Sequence, residues 1–378
     1  MVNLDYASHT PVSEAVLAEF CRVEQKCAAN PLAAHESGQI ARQEMERATE
    51  GIAALLGVKA SEIIYTSGAS EANNLAIKGI AKAYAHVGKH ILSTCLEHPS
   101  TSGALAFLGE AGYEIELLKI LPNGKIDPIH LESSIRYDTI LLCISAVDSE
   151  LGAIQDLDVL VRSFPARSNC RLHVDLAQAM GKIPIAISNF ATMSFSPHKF
   201  HGLGGFGVLI KREGVVLEPL VHGGSAQNDA FGYGLYRGGT PSPAMAAACH
   251  LALREALHSQ ESNLKIVREI RDYTLKNLQP LISAKKIKVN SPPDGSPYIL
   301  NLSTQNIKGK AVQAALNDQG IAISVKSACS TDNAPSRPVF AISGDKKNAQ
   351  NSWRISFDFS TTKSEIDKFI NHINNLTC

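Results

Sequence analysis

A lysine that is followed closely by glycines is the feature of this sequence that most directly suggests chemistry. Lys199 comes shortly after an apolar run, residues 191–195, that predicts a buried strand, and just before a glycine-rich turn at residues 202–207. Glycines let the backbone approach a ligand closely, and an amine held among apolar groups loses its proton more readily. Such an amine forms a Schiff base with a carbonyl substrate or with pyridoxal phosphate (PLP). Alone, the pattern also fits a surface lysine after an edge strand.

Three other places suit the same chemistry, although each also has a purely structural explanation. Residues 67–70 precede a predicted helix, whose free N–H groups and dipole favour a phosphate. Asp175 ends a predicted strand, where a carboxylate can keep a pyridine nitrogen protonated. His98 follows another strand, where an imidazole can stack on a planar ring and move protons near neutral pH. The alternatives are a plain N-cap turn, a helix-capping aspartate and a structural histidine.

The cysteines suggest thiol chemistry at one position. Cys329 lies in a polar stretch, residues 326–335, that is typical of an exposed loop, where an accessible thiolate can act as a nucleophile. An incidental cysteine is the alternative. The eight cysteines show neither a Cys-x-x-Cys pair nor a Cys/His ligand spacing, which favours reduced thiols over disulfides or a metal site.

Composition limits the partners of the chain. The 378 residues include 36 Lys plus Arg and 36 Asp plus Glu, so no net charge favours nucleic acid or an anionic membrane surface. No apolar run approaches the length of a membrane span, and the first residues do not resemble a signal peptide. We therefore expect a cytoplasmic globular protein that binds neither a membrane nor, directly, nucleic acid.

The order of the predicted elements indicates an α/β fold. Short β-rich runs alternate with helical runs up to about residue 211, which predicts a parallel or mixed sheet covered by helices. After residue 258 the pattern changes to that of a smaller α+β unit. We expect a large domain over residues 14–258 and a small domain formed by residues 1–13 and 259–378.

A series of motifs in one order covers nearly the whole chain. They are LDYA at 4–7, TSGASEANNLAIKG at 66–79, EH at 97–98, HVDLAQ at 173–178, SPHK at 196–199, RGGT at 237–240 and SACS at 327–330. Together they resemble the cysteine desulfurases of the class V, PLP-dependent aminotransferase family. The resemblance implies the PLP-dependent transferase fold type I, a homodimer, and conversion of L-cysteine to L-alanine with transfer of sulfur to an acceptor protein. Relatives supply sulfur to iron–sulfur cluster assembly, tRNA thiolation or DNA modification.

The resemblance also implies roles for individual residues. Lys199 would carry PLP as a Schiff base, His98 would stack on its ring, and Cys329 would receive the sulfur as a persulfide. The other implied contacts are Asp175 at the pyridine nitrogen; Gln178 and Ser149 at the ring hydroxyl; Ala69, Ser70, Ser196, His198 and, from the second subunit, Thr240 at the phosphate; and Asn30 and Arg354 at the substrate carboxylate.

One departure from the family pattern keeps other functions open. Asp148 and Ser149 stand where these enzymes usually carry two asparagines, so the contact with the ring hydroxyl differs in length and chemistry. An alternative is a class V aminotransferase or a selenocysteine or cystine lyase-type enzyme, which would not use Cys329. A non-enzymatic alternative is a degenerate dimeric scaffold in sulfur-carrier assembly.

Overall fold

A computed structural model describes residues 1–164, 168–186, 190–223, 235–326 and 334–377. Cys329 lies outside the described residues. Within these ranges, no helix is both long and apolar enough to cross a membrane.

Strands occur along the whole described chain. In chain order they are β1 Val2–Asn3, β2 Ile63–Thr66, β3 His90–Ser93, β4 Glu114–Leu117, β5 Thr139–Ser145, β6 Arg171–Asp175, β7 Thr192–Phe195, β8 Gly207–Lys211, β9 Ile287–Val289, β10 Ile299–Thr304, β11 Ile321–Ala322 and β12 Ser352–Ser356.

Helices cover the sheets and form most of the connections. In chain order they are α1 Glu14–Lys26, α2 Glu36–Leu56, α3 Ala69–Ala83, α4 Pro99–Glu110, α5 Pro128–Ser134, α6 Leu157–Arg162, α7 Pro243–His258, α8 Gln260–Ser283, α9 Gly309–Asn317, α10 Arg337–Ser343, α11 Lys346–Gln350 and α12 Lys363–Thr377.

The larger sheet of the described residues has seven strands in the order β2-β8-β7-β6-β5-β3-β4. Within it β8 runs antiparallel to both of its neighbours, and the other strands run in one common direction. The carboxyl ends of β2, β3, β5, β6 and β7 therefore meet at one edge, which is where open α/β sheets bind ligands. The prediction of a mixed, mostly parallel sheet is confirmed.

The interior strand β5 is buried along its whole length, because helices cover both faces of the sheet. Leu141 and Cys143 belong to the apolar cluster that contains residues of α3 and α4. Leu142 and Ile144 alternate with them and belong to the larger cluster, which contains residues of α2 and α7. This alternation determines on which face of the sheet each side chain at the end of the strand lies.

The chain ends meet beside a second, antiparallel sheet with the order β12-β10-β9. Strand β1 pairs in parallel with β11, and Asp5 forms a bridge with Ser356 at the end of β12. The first residues of the chain thus contact its C-terminal part. The predicted division at residues 13 and 258 remains a prediction, although α7 and α8 are separated at Ser259.

The sequence predicted several elements with the observed bounds and omitted others. The sequence predicts helices over residues 36–56 and 243–258 and strands over 171–175 and 287–289, and α2, α7, β6 and β9 have these bounds. It also predicts a capping box at residues 362–365, and the Thr362 N–H donates to Glu365 at 2.9 Å. A strand is predicted over residues 321–325, whereas β11 stops at Ala322. Helices α4, α5, α6, α10 and α11 and strand β12 were not predicted.

Candidate active site

A cavity of about 360 Å³ lies at the carboxyl edge of the larger sheet. We call it the front cavity. Its lining includes most of the predicted site residues: Ala69, Ser70, His98, Ser149, Asp175, Gln178, His198, Lys199 and Arg354. Apart from Arg354, which lies in the second sheet, these residues are brought to one place because the strands that precede them end at the same edge.

One wall of the front cavity is the beginning of α3. The first N–H groups of a helix have no partners within it, and the helix dipole adds partial positive charge there. Strand β8 passes so close that a Cβ on Gly207 would lie 2.4 Å from the carbonyl carbon of Gly68. Glu71 accepts a hydrogen bond from the N–H of Ser67 at 2.6 Å and pairs with Arg237 at 3.1 Å. The acidic side chain next to this anion-favouring wall is thus neutralised.

Lys199 ends the short 3-10 turn Pro197–Lys199 that follows β7. Its Nζ donates to the carbonyl oxygens of Ala7 and Ser8, both at 2.8 Å. The N-terminal segment therefore holds the amine at the wall of the cavity.

Asp175 ends β6 and is 6% exposed. Its Oδ1 accepts from the N–H of Ala177 at 2.8 Å, and its Oδ2 accepts from Nδ2 of Asn73 at 2.8 Å. Hydrogen bonds to both oxygens fix the plane of the carboxyl group. Such a group suits a partner that carries a proton on a ring nitrogen.

His98 is the N-cap of α4 and keeps its ring at the cavity wall. Its Nδ1 accepts from the N–H of Ser100 at 3.1 Å, so the proton of the neutral ring is on Nε2. Burial lowers the pKa of His98, and Lys199 lowers it further, while Asp175 opposes these effects. The imidazole is therefore neutral near pH 7.

His198 lines the front cavity and contacts Ser196. The Ser196 hydroxyl donates to the carbonyl of Phe206 at 2.6 Å, so its oxygen accepts from Nδ1 of His198 at 2.8 Å. Burial, followed by the charge of Lys199, lowers the pKa of His198 to about 4. Ser196 is fully buried and does not line the cavity, so its contact in the structure is with His198.

Gln178 is held from two sides. Its Oε1 accepts from Nζ of Lys182 at 3.0 Å, and its Nε2 donates to the carbonyl of Ala7 at 2.9 Å. Because the carbonyl of Ala7 can only accept, the amide orientation is defined. The second N–H of Gln178 has no partner in the described part of the chain, and Gln178 lines the front cavity, where this N–H suits an acceptor.

Arg354 lies in β12 and is 2% exposed. One terminal nitrogen donates to the carbonyl of Ser149 at 2.6 Å, and the other contacts the Asp5 carboxylate at 2.7 Å and the Ser8 hydroxyl at 3.0 Å. Its Nε is buried and has no hydrogen-bond partner in the described part of the chain. The guanidinium thus already has an acidic partner, with which any carboxylate ligand must share it.

The departure at residues 148–149 has a local structural explanation. Oδ1 of Asp148 accepts from the N–H groups of Glu150, at 3.1 Å, and Leu151. Burial raises the pKa of Asp148 to about 7, with a further contribution from Glu150. This turn presents the carbonyl of Ser149 to Arg354, so residue 149 contributes its backbone to the site as well as its side chain.

The structure does not bring every predicted site residue to the front cavity. Asn30 is exposed and its side chain accepts from the N–H of Leu32 at 2.9 Å. Thr240 is exposed at a separate surface cleft, which also includes Ser67 and Arg237. The predicted role of Thr240 needs a second subunit, and that of Cys329 falls outside the described residues. These roles remain predictions.

Comparison with known proteins identifies the family. The family model described as aminotransferase class V matches residues 2–369. The chain belongs to this family. It is 32% identical over 370 residues to a cysteine desulfurase IscS of Dictyoglomus turgidum, and the alignment covers 97% of this chain and 92% of the relative.

Solved structures agree with this class V assignment. A structure titled "NIFS-like protein" has a TM-score of 0.90 and 29% sequence identity, and covers 99% of this chain and 98% of that one. A structure titled "SspA in complex with cysteine" has a TM-score of 0.81 and 28% identity, and covers 96% of this chain and all of that one.

Several residues of this class V chain that shape the site were not singled out from the sequence. They are Asp5, Ser8, Asn73, Ser100 and Lys182. The sequence does contain a signal for Asn73, because an asparagine as the fifth residue of an apolar helix interrupts its buried face. The other contacts join distant parts of the chain and leave no local pattern.

Proposed function

We propose that the protein is a PLP-dependent cysteine desulfurase, which converts L-cysteine to L-alanine and passes the sulfur to an acceptor protein by way of Cys329. The observation that carries the proposal is the front cavity, where Lys199, Asp175 and the start of α3 face one space. Membership of the class V family and the similarity to cysteine desulfurases support it.

The donors and acceptors around the cavity fit PLP. The N–H groups at Ala69 and Ser70 suit a phosphate, and the Asp175 carboxylate suits a pyridine nitrogen. The second N–H of Gln178 suits the ring hydroxyl, and the flat ring of His98 suits stacking. A volume of about 360 Å³ is within the range of small-molecule sites. His198, with Ser196 behind it, completes the phosphate end.

The protein groups then divide the chemistry between them. When bound, PLP supplies an aldehyde that condenses with an amino group and a ring that withdraws electrons from the substrate Cα. The amine of Lys199 takes the Cα proton and returns a proton to the product. Asp175 holds a proton at the ring nitrogen, and the neutral His98 covers the ring from water.

Arg354 is proposed to bind the substrate carboxylate together with Asn30. A guanidinium binds carboxylates through paired N–H groups, and that of Arg354 lines the cavity. Because Asp5 already contacts one of its terminal nitrogens at 2.7 Å, the substrate either shares the guanidinium or displaces Asp5.

Cys329 is proposed as the sulfur acceptor within the chain. Its thiolate attacks the sulfur of the substrate, so that an S–S bond forms while the substrate C–S bond breaks. The substrate carbon takes a proton in place of sulfur, so L-cysteine and a thiol become L-alanine and a persulfide. The persulfide is then available to an acceptor protein of iron–sulfur assembly, tRNA thiolation or DNA modification.

The proposal includes the assembly and the domains. A homodimer would place Thr240 of one subunit at the phosphate end of the other. The large domain, residues 14–258, would carry PLP, and the small domain, residues 1–13 and 259–378, would carry Cys329.

The test is turnover of L-cysteine by the purified, PLP-loaded protein in the presence of a thiol reductant. We expect equal amounts of alanine and sulfide, and a persulfide on Cys329 detected by mass spectrometry when the reductant is omitted. Cys329→Ser should lose turnover and the persulfide. Cys21→Ser, which changes an exposed free cysteine, should retain both.

Other results would favour the alternatives. Unchanged sulfide and alanine formation by Cys329→Ser would favour a lyase-type enzyme that acts without a cysteine nucleophile. Amino-group transfer to a keto acid without sulfide would favour an aminotransferase. A protein that binds PLP without turnover of any of these substrates would favour a scaffold.

A further inference from the structure

Asn73 is a fully buried amide in the first part of α3, directly beside the front cavity. A buried asparagine is costly unless its side chain is hydrogen-bonded, and its carbonyl and amino groups together can make four such bonds. In this structure all four are made, and they join elements that are otherwise separate. The function proposed above gives Asn73 no role.

The carbonyl side of Asn73 is anchored in the sheet. Its Oδ1 accepts from the hydroxyl of Ser194, on β7, and from Nε2 of His173, on β6, at 3.1 Å. Burial lowers the pKa of His173 to about 4, so this ring is neutral, and its Nδ1 accepts from the hydroxyl of Thr192 at 2.9 Å. The orientation of the amide is therefore set by donors on two strands.

The amino side of Asn73 supports two residues of the cavity wall. Nδ2 donates to Oδ2 of Asp175 at 2.8 Å and to Oγ of Ser100 at 2.9 Å. Since Ser100 accepts from Asn73, its own hydroxyl is free to donate to Nδ1 of His98 at 2.8 Å. One amide thus fixes a carboxylate directly and an imidazole through one hydroxyl.

We propose that Asn73 is a positioning residue that holds the Asp175 carboxylate and, through Ser100, the His98 ring against opposite parts of the cofactor. This inference rests on the proposed function only in taking PLP as the group between them. Asn73 does not contact the reacting atoms. Its contribution is to hold Oδ2 of Asp175, so that the carboxyl group keeps the orientation in which it would face the ring nitrogen.

The test replaces Asn73 and measures the cofactor itself. In Asn73→Ala, Oδ2 of Asp175 loses its donor, so the carboxyl group is held less firmly at the ring nitrogen and the ring is less fully charged. The visible absorbance of bound PLP reports the proton on the nitrogen that links it to Lys199. The pH midpoint of this absorbance change should rise by about one unit, because a less charged ring withdraws fewer electrons from that nitrogen. PLP should also dissociate about tenfold more readily, as is common when a supporting hydrogen bond is lost.

Asn290→Ala is the matched control. Asn290 is also a buried asparagine, bonded to Asn301 at 2.9 Å and Ser303 at 2.6 Å in the second sheet, away from the front cavity. This variant should lose thermal stability while keeping the wild-type midpoint and PLP affinity. If Asn73→Ala fails to fold, Asn73→Leu fills the same space without a donor and should give the same two shifts.

The outcomes separate this inference from the proposed function. A wild-type midpoint and PLP affinity in a folded Asn73→Ala or Asn73→Leu protein would overturn the positioning role alone. Equal shifts in Asn290→Ala would also overturn it, since they would follow from loss of any buried asparagine. A wild-type protein that binds no PLP at Lys199 would overturn both proposals.

Discussion

Two cavities of this protein meet at Lys199 and differ in what their polar groups do. The front cavity, of about 360 Å³, opens at the carboxyl edge of the larger sheet. The rear cavity, of about 820 Å³, lies behind the lysine and is lined by residues that include Ser13, Lys182, His201, Glu255 and Asp358. The larger space is not the one that we assign to chemistry.

Several polar groups of the rear cavity are paired with one another or with the backbone. His201 contacts Asp358 at 2.9 Å through Nε2 and the carbonyl of Pro11 at 2.9 Å through Nδ1, and the Ser13 hydroxyl donates to Glu255 at 3.0 Å. In the front cavity, by contrast, His98 and Gln178 each have one N–H group with no partner among the described residues. The comparison teaches that remaining hydrogen-bonding capacity identifies the site better than volume does.

The largest effect on activity is expected for substitution of Lys199, where the two cavities meet. Lys199→Ala removes the amine that both anchors the cofactor and moves the substrate proton, so turnover of L-cysteine should fall by at least about 10³-fold. Alanine formation over time is the measurement. A variant that keeps more than a tenth of the activity would contradict the role of Lys199.

Arg354→Lys tests the substrate end of the front cavity. A lysine keeps the charge but loses the paired N–H groups, so KM for L-cysteine should rise about tenfold or more while kcat changes less. Steady-state kinetics provide both values. An unchanged KM would show that the contact with Asp5 is the main function of Arg354.

Lys182→Met tests the boundary between the cavities. Burial, and then the charge of Lys199, lowers the pKa of Lys182 to about 7. Because the unfolded lysine binds its proton more tightly, the buried lysine destabilises the fold below pH 7, and this cost disappears as pH rises towards the unfolded pKa. Methionine should therefore improve stability relative to wild type more at pH 6 than at pH 10.

Urea unfolding at the two pH values checks this prediction. The same variant frees the amide of Gln178, so PLP affinity should fall a few-fold even where stability rises. Equal stability differences at both pH values would contradict the lowered pKa, because they would show that Lys182 has the same pKa in the folded and the unfolded protein.

The smallest effect on activity is expected for substitution of His201, which lines the rear cavity. Burial tends to lower the pKa of His201, but the hydrogen bond and charge of Asp358 outweigh it, so the pKa is raised. The pair therefore stabilises the fold at pH values below the ordinary histidine pKa, and this contribution is lost as pH rises through the raised pKa.

His201→Asn should cost about 1 kcal/mol at pH 5.5 and less at pH 9. Asparagine suits the left-handed backbone at this position, where φ is 66°. Chemical unfolding at each pH gives the stability, and turnover should stay within about twofold of wild type. A large loss of activity would mean that the rear cavity takes part in the reaction.

The sequence predicted the residues at the strand ends because their signals are local. An apolar run, a glycine turn and a following helix place Lys199, Asp175 and residues 67–70 at one edge of a parallel sheet once the topology is known. Helix α4 was missed because its first half contains serines and a glycine and its N-cap is a histidine, which is not a preferred capping residue.

The groups that hold these residues in place could not be predicted in the same way. Asp5 and Arg354 are 349 positions apart, and Lys199 is held by carbonyls at residues 7 and 8. Strand β12, which carries Arg354, is short and depends on pairing with β10 for its identity. Contacts of this range follow from the packing of the second sheet, which no periodicity in the sequence specifies.

The most direct test of the account is to map where the cofactor is attached. The purified protein is incubated with PLP, reduced with borohydride, digested and analysed by mass spectrometry. We predict one phosphopyridoxyl group, on Lys199, and none on Lys182, although that lysine lines the larger cavity. Modification of Lys182 in preference to Lys199, or no specific modification, would contradict the assignment of the front cavity as the active site.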